Sequence, residues 1–247
     1  MSDRRKVLSL CMIVKNEEKY LEECLLSVKD IVDEIVIVDT GSTDRTIEIA
    51  KKYDALLYNF KWANDFSAAR NFALKQCTGE WILYLDADER LTKDSLQELS
   101  QIIEIKDKTA VFCGVISKDG KGNTSNIMSY VRLFSNSKNI KFTGSVHEQI
   151  APSLKENNYN FIYSGIKILH EGYSISDDKL NEKAKRNLNI LLRDFALEPT
   201  GYKAYHLGVS YVVLNNFEKA ITYFFEAIKD KSLELNHVSH CFRYLAA

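Results

Sequence analysis

The chain has 247 residues, 45% of them hydrophobic and 27% charged, a balance that describes a folded, soluble protein with one large core or one core plus a small appendage. With 33 Lys+Arg against 34 Asp+Glu and a formal charge of −1, there is no global basic field to hold a phosphate backbone or an anionic membrane surface, so general nucleic-acid binding is disfavoured. Two Pro and ten Gly argue against low-complexity or collagen-like chains, and no apolar run approaches the roughly 20 residues of a transmembrane segment.

Arg4, Arg5 and Lys6 precede an apolar stretch and so mimic a short signal peptide, but Lys15-Asn16-Glu17 follows where a cleavage site needs small residues. Residues 7–14 therefore predict a buried strand. In chain order, 17–28 predicts a helix, 34–38 a strand, 43–53 a helix capped by Ser42, 56–58 a short strand, 67–76 a helix, 81–85 a strand and 93–103 a helix. This alternation of strands and helices predicts an α/β fold, a Rossmann-like and mostly parallel sheet flanked by helices and buried on both faces. Strand-like stretches at 110–117, 127–134, 140–143 and 161–169 extend the sheet and build an acceptor-side wall.

From about Asp177 the pattern turns helical to the end, with a break at 198–201. Residues 1–175 read as one domain and 176–247 as a helical region. Leu207, Gly208, Tyr211, Ala220, Phe224 and Ala227 fall at the spacing of a tetratricopeptide repeat, with Ala204 where Trp is usual and Ser232 where Pro is usual. The last helix stops in mid-repeat, so the expectation is a truncated array, or a tail that packs on the sheet domain or forms a homodimer. Five cysteines, odd in number and without a CxxC pair, suit reduced thiols in the cytoplasm rather than a disulfide framework or zinc site.

Ligands of such sheets sit beyond the carboxyl ends of the strands. Asp86 and Asp88 follow the apolar run 81–85, where crowded carboxylates call for a cation such as magnesium or manganese with substrate phosphates, or else serve as a helix cap and a solvated turn. Asp39 leads into Gly41-Ser42-Thr43-Asp44, placed either to accept hydrogen bonds from a nucleoside or to stand beside an ordinary helix cap made by Ser42 and Asp44. Arg70 reads either as a surface ion pair or as a guanidinium that grips a diphosphate bidentately. Trp62 and Phe66 are core residues or an apolar wall beside the ligand.

The stretches 10–17, 38–44, 65–71 and 85–89 together resemble a family 2 glycosyltransferase with the GT-A fold. The likeness continues more weakly through Arg132-Leu133-Phe134, residues 144–148 and Ile168 to Tyr173, which resemble the bacterial subgroup that includes peptide S-glycosyltransferases of glycosylated bacteriocins. The resemblance implies a nucleotide-sugar donor, usually a UDP-sugar, a divalent metal (Mn2+ or Mg2+), and inversion at the anomeric carbon. It implies that Asp39 binds uracil, with Asp44 assisting, that Arg70 meets the base or diphosphate, and that Asp86 lies near the ribose or metal. Asp88 would ligate the metal, with His170 completing the site or else packing at the domain junction. Glu148 is the expected general base and His147 its competitor, the other reading of both being a hydrogen-bonded brace.

The acceptor class stays open among peptide, protein and glycan. The alternative reading is an inactive scaffold whose repeat tail binds a peptide or protein. Nucleotidyl transfer is disfavoured, because no Gly-rich basic phosphate loop follows the first strand.

Overall fold

The computed structural model describes residues 7–118, 124–171 and 177–246. Arg4, Arg5, Lys6, Gly172, Tyr173 and the boundary expected at 175/176 lie outside the described residues. The chain divides into two compact units, Met1–Ser174 and Ile175–Ala247.

The first unit runs β1 (Leu8–Val14), α1 (Leu21–Val28), β2 (Glu34–Asp39), α2 (Thr46–Lys52), β3 (Leu56–Asn59), α3 (Phe66–Gln76), β4 (Trp81–Tyr84), β5 (Glu89–Leu91), a 3-10 turn at Lys93–Ser95, α4 (Leu96–Ile102), β6 (Thr109–Lys118), β7 (Thr124–Ser135), α5 (Ala151–Glu156) and β8 (Asn160–His170). All eight strands form one sheet in the order β3-β2-β1-β4-β7-β6-β8-β5. Four of its seven pairings are parallel, and β4–β7, β6–β7 and β5–β8 are antiparallel.

Alternate residues of one strand enter different apolar layers, as a two-residue period requires. Leu10 and Met12 pack with Leu21, Leu25, Trp81 and Leu83, whereas Cys11 packs with Val36, Ala73, Ile82 and Tyr84 on the other face. With helices on both faces, β1, β2 and β4 sit in the interior, and burial of their Val, Ile and Leu side chains drives this half of the fold. Parallel register brings Val14, Asp39 and Asn59 level at one edge.

Three local expectations are corrected. The helix expected from residue 17 starts at Leu21, because Glu17 O takes the amides of Tyr20 and Leu21 in a preceding turn. Ser42 does not cap α2: its Oγ accepts the Asn16 amide at 2.9 Å, and Arg45 occupies the cap position without a side-chain bond. Residues 140–143 form no strand, only a bridge between Thr143 and Gln149. The short β5 and the six-residue α5, with Pro152 in its first turn, were not expected.

The second unit comprises α6 (Asp177–Leu197), α7 (Gly201–Val213), α8 (Phe217–Lys229) and α9 (Leu235–Leu245), and it has the form of a tetratricopeptide-like tail. Ala204, Tyr205, Tyr211, Ala220, Phe224, Ala227 and Cys241 make its core. Ala204 is fully buried, and Ser232 holds its turn by donating from N and Oγ to Asp230 Oδ1 at 2.9 and 2.6 Å. All five cysteines are free and buried. Among the described residues no helix is long and apolar enough to cross a membrane.

Candidate active site

The turns after β1 and β2 are stitched together. Asn16 adopts φ +57°, and its Oδ1 accepts the Thr43 amide at 2.8 Å. Glu17 N donates to Thr46 Oγ1 at 2.7 Å and Glu18 N to Asp44 Oδ2 at 3.1 Å. Asp44 also accepts the Thr46 amide at 3.0 Å. Burial works against its ionisation, but the Thr46 and Glu18 hydrogen bonds outweigh it and hold this carboxyl below the usual range. Asp39, 6% exposed, accepts the Gly41 amide at 3.0 Å and the Ser42 amide at 3.1 Å, and Gly41 supplies the φ of +110° that the turn needs. Asp39 and Asp44 are thus both turn-shaping groups at the carboxyl edge of the sheet.

Helix α3 is capped by Asp65, whose side chain accepts the Ala68 amide at 2.9 Å. Phe66 N bonds Ser145 O at 2.9 Å, and Asn71 clasps Phe142, donating to its carbonyl at 2.9 Å and accepting its amide at 2.7 Å. The loop carrying Glu148 is thereby pinned to α3. Arg70, 7% exposed, donates from Nε to Glu148 Oε1 at 2.5 Å and from Nη2 to Asp86 Oδ1 at 2.6 Å. It is no surface ion pair; its guanidinium also lies 5.3 Å from the Tyr84 ring centre and 5.7 Å from that of Phe142. His147 and Gly144 turn the loop with φ +55° and +94°.

Residues 86–89 close on themselves, Glu89 N donating to Asp86 O at 3.0 Å and Asp86 N to Glu89 Oε2 at 2.9 Å. Arg132 bonds Glu89 Oε1 at 2.5 Å and stands 3.9 Å from Asp86 Oδ2. Glu148, Arg70, Asp86, Arg132 and Glu89 therefore form a chain of alternating charge. Burial tends to raise the Asp86 carboxyl, but Arg70 and then Arg132 hold it far below the usual carboxylate range. Glu89, 1% exposed, is pushed up to about 7 by burial, against the pull of Arg132.

Antiparallel pairing sets His170 opposite Glu89 and brings its Nε2 to 3.2 Å from Asp88 Oδ2. That hydrogen bond raises the imidazole above its ordinary value despite burial. Asp88 and His170 offer an oxygen and a nitrogen donor at one point, a partial set of the kind a divalent ion completes with substrate phosphates and water. No group of three or more His, Cys, Asp and Glu with metal-site geometry occurs among the described residues.

The sequence brought Asp86, Asp88, Arg70 and Glu148 into view, but it passed over the parts played by Arg132, Asn71 and the buried Glu89. Arg132 stood out only as the first residue of Arg132-Leu133-Phe134 and as a charge set between Val131 and Leu133 in an apolar run, neither of which shows its ion pairs. Trp62 and Phe66 are half-buried and stack edge to face at 4.7 Å; neither belongs to the buried layers.

Residues 9–181 match the profile of Glycosyl transferase family 2. The chain belongs to this family. It is 33% identical to the SPbeta prophage-derived glycosyltransferase SunS of Bacillus subtilis over 223 residues, which are 89% of this chain and 52% of SunS, so the chain spans about half the length of that relative. The S. aureus TarS 1-349 structure in complex with UDP-GlcNAc aligns with a TM-score of 0.56 at 18% identity, covering 97% of this chain and 79% of that one. The mannosyltransferase PcManGT from Pyrobaculum calidifontis in complex with GDP-Man and Mn2+ aligns with a TM-score of 0.56 at 15% identity, covering 99% and 81%. At these identities the likeness is one of fold, and the fold is GT-A.

Proposed function

We propose that the chain transfers a sugar, with inversion, from a nucleoside-diphosphate sugar, a UDP-sugar first among them, to a nucleophile on a peptide, protein or glycan acceptor. The observation that carries this reading is Arg70, which at 2.5 and 2.6 Å joins the expected base Glu148 to the expected donor ligand Asp86. Membership of family 2 supports it, as does the fold shared with proteins solved with UDP-GlcNAc or with GDP-Man and Mn2+.

In this reading Asp39 receives the nucleobase at the turn that Asp44 braces, and Asp86 lies by the ribose and diphosphate. Asp88 and His170, with Asp86 beside them, would hold a Mn2+ or Mg2+ ion, which supplies charge neutralisation to the departing diphosphate. Arg70 turns its positive charge to the same leaving group. Glu148 takes the acceptor proton as the acceptor's electron pair forms the bond to the anomeric carbon; the bond to the diphosphate breaks on the opposite face, and the nucleoside diphosphate leaves with that pair. His147 is the neighbouring group able to take this proton in place of Glu148. The tetratricopeptide-like unit is of a kind that binds extended peptides or a second copy of its own chain. Five free thiols suit a reducing compartment such as the cytoplasm.

Calorimetric titration with UDP, GDP and their common sugar conjugates, with and without Mn2+, tests the proposal. Metal-dependent binding of one nucleotide supports it. Binding of none in either condition rejects it in favour of a scaffold.

A further inference from the structure

Strands β6 and β7 stay in step until Val111 faces Leu133, after which Phe112 faces Val131. Arg132 is the residue passed over, the extra member of a β-bulge. Residues two apart in a regular strand share a face, yet Leu133 packs in one apolar layer and Val131 in the other. Bulges re-aim side chains and recur beside active sites. Here the bulge sends an arginine that is 8% exposed to the 86–89 turn, its guanidinium 4.6 Å from the Tyr84 ring centre.

Arg132 does more there than neutralise Glu89. Asp86 is bracketed by two cations, with Oδ1 on Arg70 at 2.6 Å and Oδ2 facing Arg132 at 3.9 Å, so a positive charge faces each of its oxygens. Arg132 Nε is meanwhile buried without a hydrogen-bond partner. An orphaned buried donor carries a desolvation cost that a simple structural ion pair avoids. A lysine could balance the charge of Glu89, but it lacks the planar guanidinium that rests 4.6 Å from the Tyr84 ring centre while its Nη2 faces both carboxylates.

We infer that Arg132 is a positioning residue for the nucleotide-sugar donor: from its bulge it orients the Asp86 carboxylate that meets the donor. The inference rests on the nucleotide-sugar reading above. It is tested by titrating UDP with Mn2+ into wild type, Arg132→Lys, and the double variant Arg132→Met with Glu89→Gln, each with its thermal unfolding midpoint recorded.

The double variant removes both buried charges, so a purely charge-balancing role predicts wild-type UDP affinity in a folded protein. A positioning role predicts a folded protein whose UDP affinity falls by about tenfold or more, and Arg132→Lys is expected to fall likewise. Wild-type affinity in the folded double variant overturns the inference and leaves the proposed function standing. Failure of the wild-type protein itself to bind UDP overturns both. Should Arg132→Lys not fold, the double variant decides.

Discussion

Glu148 Oε1 lies 2.5 Å from Arg70 Nε across 78 residues of sequence, and both side chains are largely buried, at 13% and 8% exposure. A glutamine at position 148 keeps an acceptor for Arg70 but cannot take a proton. Glu148→Gln is expected to lower kcat about 10²- to 10⁴-fold while UDP affinity stays within about twofold. Glu148→Ala also strips a buried guanidinium of a partner, at a cost of about 1–3 kcal/mol in denaturant unfolding. Wild-type turnover by Glu148→Gln would transfer the role to His147.

The pair of Asp88 and His170, 3.2 Å apart, gives the metal proposal its own readout. A metal needs the neutral imidazole, whereas the Asp88 hydrogen bond favours the protonated one. Mn2+ affinity measured with UDP present should therefore rise from about pH 6 to about pH 8, through and beyond the ordinary imidazole value. Asp88→Asn and His170→Ala should both weaken Mn2+ binding, and His170→Ala should flatten the pH dependence. An unchanged slope in His170→Ala would remove that residue from the metal site.

The parts legible in the sequence are those whose signal is local. β1, β2 and β4 are apolar interior runs, and Asp39, Asp86 and Asp88 show themselves because they follow such runs directly. What stayed hidden depends on distant partners. The hydroxyl of Ser42 reads as a helix cap until Asn16, 26 residues away, claims it. Arg132 looks like any alternating strand residue until the register of β6 turns it into a bulge, and Asn71 meets Phe142 across 71 residues. The three residues of β5 and six of α5 are too short to show a period.

Two shifts set the pH dependence of stability in metal-free buffer. Burial raises Glu89 from 4.5 to about 7, so the folded state favours its protonated form; stability is full below about pH 4.5 and declines as pH rises through about 7. The raised His170 acts in the same direction, its contribution being present below about 6.5 and lost above its folded value. The lowered Asp86 acts elsewhere: it adds stability above 3.8 that is lost only as acid protonates it. Denaturant unfolding should thus show stability falling from about pH 5 to about pH 8, and less steeply in Glu89→Gln. A flat wild-type profile would mean that neither Glu89 nor His170 is raised in the folded state.

The helical unit makes a prediction independent of catalysis. Gly208 lies within α7, where exchange to alanine ordinarily stabilises a helix by about 1 kcal/mol. A Cβ at this position would meet Phe224 Cε1 at 2.5 Å and Cδ1 at 2.6 Å. Phe224 is 1% exposed and stacks on Tyr244 at 5.0 Å, so its ring has little room to withdraw. Overpacking of this kind costs about 1–3 kcal/mol, which exceeds the helix gain at most of that range. Gly208→Ala should therefore lower the unfolding midpoint of the helical unit while leaving UDP affinity unchanged. A raised midpoint would show that Phe224 yields, and that the close approach of α7 and α8 does not depend on the glycine.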